Sequence, residues 1–159
     1  MIVTVWRHAE AGVAESDVSR PITPRGREAL YSSGTGFVRW LEEVGMAPVS
    51  SLLYSPYLRA RETAEVLSSL CLPAYAAPDN RLVPGARIED VAELVDHEQA
   101  HILLVSHQPL VSNLVALWCD DPSFAPLSPG GSTTMVLVSP ERGGATVLQH
   151  CPEPVQSDL

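Results

Sequence analysis

The sequence predicts an α/β fold, a single three-layer domain in which a mostly parallel sheet carries helices on both faces. Short apolar runs of strand length alternate with longer segments of helical periodicity along the chain. These runs are apolar almost throughout, as is typical of parallel strands buried on both sides. The chain has 159 residues and no linker or repeat, so we expect residues 1–159 to form one domain, with 151–159 as a loose tail.

The first half of the chain predicts three strands and two helices. In chain order these are a strand over 1–6, a helix over 24–44, a strand over 51–55, a helix that opens at Pro56, and a strand over 74–77. Thr23 is a suitable N-cap for the first helix, and Pro24 a suitable first helical residue. The helix should bury Leu30, Phe37, Leu41 and Val44 along one face.

The second half predicts a helix, a buried strand, a second helix and a terminal hairpin. The expected elements are a helix over 88–100, a strand over 101–105, a helix opening at Pro109, and strands over 133–138 and 145–149. The segment 139–144, which contains Pro140, Gly143 and Gly144, should join the last two strands as a hairpin.

Composition excludes several functions. The net charge of −9 argues against a nucleic-acid partner, and no apolar stretch is long enough to cross a membrane. All ten basic residues are arginine, so chemistry that needs a P-loop or Schiff-base lysine is excluded. No secretory leader precedes the first strand, and the three cysteines form no disulfide or metal pattern. We therefore expect a cytoplasmic protein.

Three predicted strands end in groups that bind or react with phosphate. The first strand leads to Arg7 and His8, the second is followed one turn later by Arg59, and a third leads to His107. Carboxyl ends of parallel strands meet at one edge of a sheet, so these side chains should converge. Arginine forks match phosphoryl oxygens, and a neutral imidazole can attack phosphorus while a second, protonated one stabilises the charge. Such a site needs no cofactor. The ordinary alternative for His107 is packing at a strand end.

The same segments resemble the histidine phosphatase superfamily, whose fold is phosphoglycerate-mutase-like. The segment Trp6-Arg7-His8-Ala9-Glu10 is similar to its R-H-G motif, with alanine in place of glycine. The segment 22–26, Ile-Thr-Pro-Arg-Gly, is similar to L-T-x-x-G, and 55–64 matches S-P-x-x-R-A-x-x-T-A. The segment 105–107 matches V-S-H. The short chain looks most like the SixA-type phosphohistidine phosphatases.

The resemblance implies a role for each residue. His8 would be the nucleophile that forms a phosphohistidine, with a backbone carbonyl holding its ring in the reactive tautomer. Arg7, Arg59 and His107 would bind the phosphoryl group, and Arg20 is a further candidate for the same task.

The general acid is where the sequence departs from larger members of the superfamily. They carry a glutamate in the loop that corresponds to residues 81–85, and none stands here. Imidazole leaves more readily than an alkoxide, so a phosphohistidine substrate needs less help from an acid. Glu10 and Asp17 are the candidate proton donors, with solvated loop acids as the more ordinary interpretation.

A rival pattern lies at 97–101, where His97-Glu98-Gln99-Ala100-His101 spells H-E-x-x-H. That motif binds zinc only when both histidines share one helix face. His101 opens a predicted strand, so we expect no metal site. Glu62 and Glu65, beside Arg61, are expected to lie on a solvated helix face.

The sequence thus predicts a metal-independent phosphohydrolase that uses a phosphohistidine intermediate and acts on protein phosphohistidine. The alternatives are a small-molecule phosphomonoesterase of the same superfamily and a phosphate-binding module without catalysis. A mutase is less favoured, because it must retain the phosphoryl group and needs acid and base groups.

Overall fold

The computed structural model describes residues 1–95 and 97–155, which form six strands, four α-helices and one short 3-10 turn. The elements are β1 (Ile2–Arg7), α1 (Pro24–Glu43), β2 (Ser51–Tyr54), α2 (Leu58–Cys71), β3 (Tyr75–Pro78), the 3-10 turn (Asn80–Leu82), α3 (Ile88–Ala92), β4 (His101–Ser106), α4 (Leu110–Trp118), β5 (Ser132–Leu137) and β6 (Ala145–Cys151).

The strands form one sheet in the order β3-β2-β4-β1-β5-β6. Strands β1 to β4 are mutually parallel, while β5 pairs antiparallel with β1 and forms a hairpin with β6. The mostly parallel sheet and the terminal hairpin are both confirmed. The carboxyl ends of β1, β2 and β4 therefore lie side by side at one edge.

Helices cover both faces of this sheet, as predicted. Strand β4 shows the division, because Leu103 and Val105 pack into the core under α1 and α2, while Ile102 and Leu104 face the core under α3 and α4. Alternate side chains of a strand point to opposite faces, so one apolar run supplies both cores. No helix within the described ranges is long and apolar enough to cross a membrane.

Helix α1 begins as its sequence indicates. The Thr23 hydroxyl caps the helix by accepting a hydrogen bond from the Gly26 amide at 2.9 Å. Gly34 lies where α1 meets α2, and a Cβ there would come within 2.6 Å of the Leu70 side chain, so a larger residue would displace that side chain. The prediction is wrong for Val44, which caps the end of the helix and is exposed.

Two helices differ from their predicted bounds by two residues or more. Helix α3 ends at Ala92 instead of continuing to residue 100. Leu94 and Val95 are still buried after the helix ends, so the apolar spacing that favoured a helix is satisfied by a turn leading to β4. Helix α2 starts at Leu58, two residues after Pro56.

Glu62 ties the two helices of one layer together. Its carboxylate accepts a hydrogen bond from the Ile22 amide at 3.1 Å and another from the Arg27 guanidinium at 3.0 Å. The predicted solvated position is therefore wrong for Glu62. It is confirmed for Glu65, whose exposed carboxylate lies 3.7 Å from the Arg61 guanidinium.

The segment after β6 is held against the domain as far as residue 155. Cys151 belongs to the strand, the Pro152 carbonyl accepts the Ser128 amide at 2.8 Å, and the Val155 amide donates to the Ser33 hydroxyl at 2.8 Å. The expected loose tail thus does not begin at residue 151, and residues 156–159 lie outside the described ranges.

Candidate active site

Two arginines and two histidines converge at the carboxyl edge of the parallel strands. Arg7 ends β1 and His8 follows it, Arg59 lies in the first turn of α2, and His107 follows β4. The imidazole centroids of His8 and His107 are 5.2 Å apart, and the Arg59 Nε lies 3.3 Å from the His8 Nε2. All four residues line one cavity of about 310 Å³. The sequence prediction that these strand ends bring their side chains together is confirmed.

The His8 ring is oriented from both of its nitrogens. Its Nδ1 lies 2.8 Å from the Ala9 carbonyl oxygen, which can only accept, so Nδ1 carries the proton. The Nε2 then presents a lone pair, which receives the Nε–H of Arg59. This is the backbone contact that the resemblance implied, and it leaves Nε2 as the unprotonated nitrogen of the ring.

Charge and burial keep the His8 ring unprotonated. Burial lowers the pKa of His8 to about 4, the bond to the Ala9 carbonyl opposes this, and the neighbouring arginines add to it. The imidazole is therefore neutral at physiological pH, the state in which it can attack an electrophile.

Arg59 is a buried cation held by the loop after β1. Its Nη1 donates to the Asp17 carbonyl oxygen at 2.7 Å, and its Nη2 lies 3.3 Å from the Asp17 carboxylate. The guanidinium also lies 5.2 Å from the centre of the Tyr57 ring. The same loop is fixed to α2 by the Leu58 amide, which donates to the Val18 carbonyl at 3.0 Å. The loop therefore folds across the first turn of α2.

Arg7 and Arg20 add further positive charge to the cavity. One Arg7 Nη donates to the Leu127 carbonyl at 2.9 Å, whereas its buried Nε has no partner within the described structure. Burial and the nearby Arg59 lower the pKa of Arg7. Arg20 lines the cavity while its Nε donates to the Gly12 carbonyl at 2.8 Å, so the candidate phosphate ligand does lie at the site.

His107 keeps one ring nitrogen without a partner. Its Nε2 lies 2.7 Å from the Ser55 hydroxyl, and its buried Nδ1 has no hydrogen-bond partner in the part of the chain that the structure describes. Burial lowers the pKa of His107 to about 3, and the neighbouring His8 and Arg59 add to this effect. The second imidazole is thus neutral and does not meet the condition of protonation, although a neutral imidazole still offers one N–H donor.

The two candidate proton donors are in different situations. Burial tends to raise the pKa of Asp17, but the bonds from Arg20 and Arg59 outweigh it, so this pKa lies below its ordinary value. A carboxylate in that state has no proton to give. Glu10 lines the cavity, with one oxygen accepting the Thr23 hydroxyl at 2.9 Å and the other 3.6 Å from the Arg25 guanidinium.

The loop of residues 81–85, where larger members of the superfamily carry a glutamate, also reaches the cavity and contributes Pro84 to its lining. The carboxylate of the nearby Asp79 accepts a hydrogen bond from the Arg81 guanidinium at 2.9 Å. Asp79 is absent from the cavity lining.

Three structural contributors were missed by the sequence reasoning. Ser55 binds His107, Thr63 binds the Ala9 amide at 3.0 Å, and Gly26 lets the first turn of α1 approach the Glu10 backbone, where a Cβ would come within 2.7 Å of the carbonyl oxygen. The available signal was partial, because Arg59 and Thr63 lie four residues apart on one face of α2, whereas Ser55 precedes the helix.

The rival zinc pattern is not assembled. Helix α3 ends before His97, and His101 is the first residue of β4, so the two histidines share no helix face. Both ring nitrogens of His101 are occupied, by the Thr4 hydroxyl at 2.8 Å and by the Ala47 carbonyl at 2.8 Å. Within residues 1–95 and 97–155, no group of three or more histidine, cysteine, aspartate or glutamate side chains is arranged to hold a metal.

A larger cavity of about 550 Å³ lies beside the first. It shares Glu10 and Pro129 with the histidine cavity and is otherwise lined by the first turns of α1 and the segment around Ser128 and Glu153. Neither His8, His107 nor Arg59 belongs to it, so the convergent histidines and arginines lie in the smaller cavity.

The fold and this arrangement of histidine and arginine define the class of protein, the phosphoglycerate-mutase-like histidine phosphatases. No family model matches the sequence. The chain is 33% identical over 125 residues to the phosphohistidine phosphatase SixA of Escherichia coli, a match that covers 75% of this chain and 74% of that protein.

Two further comparisons agree with the first. A SixA homologue of Haemophilus influenzae is 30% identical over 124 residues, covering 73% of this chain and 76% of its own. The solved structure of the protein histidine phosphatase SixA complexed with tungstate superposes with a TM-score of 0.77 at 28% identity, covering 96% of this chain and 97% of that one. The chain belongs to the SixA family of histidine phosphatases.

Proposed function

We propose that this protein removes the phosphoryl group from phosphohistidine on a partner protein, through a phosphohistidine formed on its own His8. The observation that carries the proposal is the convergence of His8, Arg7, Arg59 and His107 around one cavity. Two of the site's buried nitrogens, Arg7 Nε and His107 Nδ1, have no partner in the described structure. Unpartnered buried donors beside two guanidinium groups are suited to phosphoryl oxygens. The substrate class follows the relatives, which are named phosphohistidine phosphatases.

The first half-reaction transfers the phosphoryl group to His8. Its Nε2 lone pair attacks phosphorus in line, the bond from phosphorus to the substrate imidazole breaks, and that imidazole leaves as a neutral ring after taking up a proton. Arg59 gives up its bond to Nε2 and turns its charge to the phosphoryl oxygens, together with Arg7, Arg20 and His107.

The second half-reaction is hydrolysis. Water attacks phosphorus, the bond to His8 Nε2 breaks, and inorganic phosphate leaves the cavity. We propose Glu10 as the group that exchanges protons with the leaving ring and the water, because it is the only carboxylate among the described residues that line the cavity. Since Asp17 is held as a carboxylate by two arginines, it is the less suited of the two candidates.

We further propose that the reaction needs no metal ion, because the arginines and His107 supply the donors that a phosphoryl group requires. A cytoplasmic location fits the three cysteines, which are all unpaired and half-buried. The net charge of −9 disfavours a nucleic acid or an anionic membrane as the partner, and the proposed partner is a phosphoprotein.

The test supplies the protein with a phosphorylated histidine protein and, separately, with simple phosphate esters. We expect turnover of the phosphohistidine protein to exceed that of the esters, and acid-labile label to appear on the wild type but not on His8→Asn. His97→Asn, which changes an exposed histidine outside the site, is the matched control. Faster turnover of esters would instead identify a phosphomonoesterase, and phosphate binding without turnover would identify a binding module. Loss of activity on chelation would contradict metal independence.

A further inference from the structure

One face of the chain, from the end of β2 into α2, touches both histidines. Ser55, Arg59 and Thr63 follow one another at intervals of four residues, and Ser55 and Thr63 are completely buried. Neither of these two lines the cavity, so neither can bind substrate directly. We propose that Ser55 and Thr63 are positioning residues that determine which ring nitrogen carries the proton in His107 and in His8. This inference rests on the proposed function of the site.

The contacts of Ser55 decide where its hydroxyl hydrogen goes. Its oxygen accepts the Tyr57 amide at 3.3 Å and lies 2.7 Å from the His107 Nε2. If the ring donated from Nε2, the buried serine hydrogen would have no acceptor among the described residues, and His107 Nδ1 would have no donor. If the serine donates to Nε2, only one group, the Nδ1–H, lacks a partner. Burial penalises every unpaired polar group, so the second arrangement is favoured.

This arrangement makes the His107 ring a hydrogen-bond donor towards the cavity. With Nε2 accepting from Ser55, the proton of the neutral ring lies on Nδ1, the nitrogen without a partner. The free N–H is then a donor for a phosphoryl oxygen, and no protonation of the ring is needed. The low pKa of about 3 does not prevent His107 from stabilising the transferring group.

Thr63 acts on His8 through the intervening backbone. Its hydroxyl donates to the Arg59 carbonyl at 2.7 Å, so its lone pairs are left to accept the Ala9 amide at 3.0 Å. The Ala9 carbonyl is the group that accepts the His8 Nδ1–H at 2.8 Å. By anchoring Ala9 on α2, Thr63 keeps that carbonyl beside Nδ1, and Nε2 stays unprotonated for attack.

Ser55, just before α2, and Thr63, within α2, set opposite hydrogen-bonding patterns on the two rings. His8 keeps its proton on a nitrogen that is bound to the protein and exposes a lone pair, whereas His107 binds the protein with its lone pair and exposes its proton. Arg59, between Ser55 and Thr63 in sequence, meets the exposed lone pair of His8 at 3.3 Å. A nucleophile and a donor are thereby distinguished although both rings are neutral.

The test reads the ring protons directly, by two-dimensional NMR of the ligand-free protein labelled with ¹⁵N-histidine at pH 7.5. We expect both His8 and His107 to be protonated on Nδ1 in the wild type. In Ser55→Ala, His107 should lose its single tautomer and the turnover number should fall by about hundredfold, as when one donor to a transferring group is removed. Ser69→Ala, which removes a hydroxyl of α2 that donates to the Val66 carbonyl away from the site, should change neither the tautomer nor the turnover number.

A second pair of variants addresses His8. Thr63→Val removes the hydroxyl at nearly constant volume and should give a mixture of His8 tautomers. Its rate of phosphohistidine formation should fall by about hundredfold, the order of loss that a misplaced nucleophile causes. Thr63→Ser retains the hydroxyl and should restore both the tautomer and the rate, which a general packing defect would not allow.

The outcomes separate this inference from the proposed function, since the spectra need no substrate. The inference is overturned if wild-type His107 carries its proton on Nε2, or if Ser55→Ala and Thr63→Val leave both rings unchanged. If the ring protons respond as expected but no phosphohistidine substrate is hydrolysed, the positioning holds and the proposed function fails.

Discussion

The histidines at the two ends of β4 are a direct comparison within one strand. His101, at the amino end, has both ring nitrogens bonded, while His107, after the carboxyl end, has one bonded and one free within the described structure. Both rings are almost completely buried. A buried nitrogen that is bonded supports the fold, whereas an unpaired one beside a cavity costs stability and is available to a ligand.

The position of each ring along the strand accounts for this difference. The amino end of β4 is closed by Thr4 of the neighbouring strand and by Ala47, so His101 completes a core network that extends to Thr134. The carboxyl end opens into the cavity, because parallel strands present loops and helix starts there. The same residue type therefore has a structural role at one edge of the sheet and a proposed catalytic role at the other.

The largest effect should come from the free nitrogen of His107. Replacing His107 by Gln keeps an amide for Ser55 but removes the Nδ1 donor, so kcat should fall by about 10²- to 10³-fold. His107→Asn, whose shorter amide can offer an N–H closer to Nδ1, should lose less. Steady-state kinetics on a phosphohistidine protein measure both values, and equal losses in the two variants would contradict the assignment of Nδ1.

Acid should destabilise the protein through the rings of His8 and His107. The pKa is about 4 for His8 and about 3 for His107 in the fold, against an ordinary 6.5. The unfolded chain therefore binds more protons, and stability present above pH 6.5 is lost as the pH falls towards 4, by about 1.4 kcal/mol per pH unit for each ring. Urea unfolding between pH 7 and 4 measures the slope.

The pH dependence of the unfolding free energy also tests how much of the acid sensitivity comes from His107. Because His107→Gln has no ring to protonate, its unfolding free energy should depend less steeply on pH than that of the wild type. An unchanged slope in this variant would show that the acid sensitivity arises elsewhere in the fold.

The histidine at the other end of β4 should affect stability and not chemistry. His101→Leu leaves the Ala47 carbonyl without its donor and weakens the Thr4 network, so the free energy of unfolding should fall by about 2–4 kcal/mol. His101→Gln retains one amide and should lose less. The kcat of the folded fraction should match the wild type, and a reduced kcat would contradict the division between the two edges.

The smallest effect should follow from removing the carboxylate that pairs with two arginines of the cavity. Asp17 pairs with Arg59 and Arg20 through a carboxylate that is more than half exposed. Asp17→Asn should therefore tighten inorganic phosphate binding by only about two- to fivefold, the range expected for an exposed ion pair. Asp79→Asn, which breaks a pair outside the cavity, is the control, and calorimetric titration measures both.

Much of the fold and the four central site residues could be predicted because they depend on local patterns. Apolar runs indicated the strands, and polar residues at or soon after the ends of three of them indicated Arg7, His8, Arg59 and His107. The end of α3 was missed because Leu94 and Val95 have the same spacing in a buried turn as in a helix. The tie between Glu62 and the start of α1 was missed because it joins residues 35 and 40 positions apart.

The sequence by itself determined the class of fold, the edge at which the site lies and the residue types that meet there, because periodicity and strand order are written along the chain. Only the tertiary structure decided which nitrogen of each ring is free, that Asp17 neutralises Arg59, and that Ser55 and Thr63 hold the two histidines. These contacts span between 42 and 54 residues. Hydrogen bonds over such separations depend on distances and directions that arise only when the layers have packed.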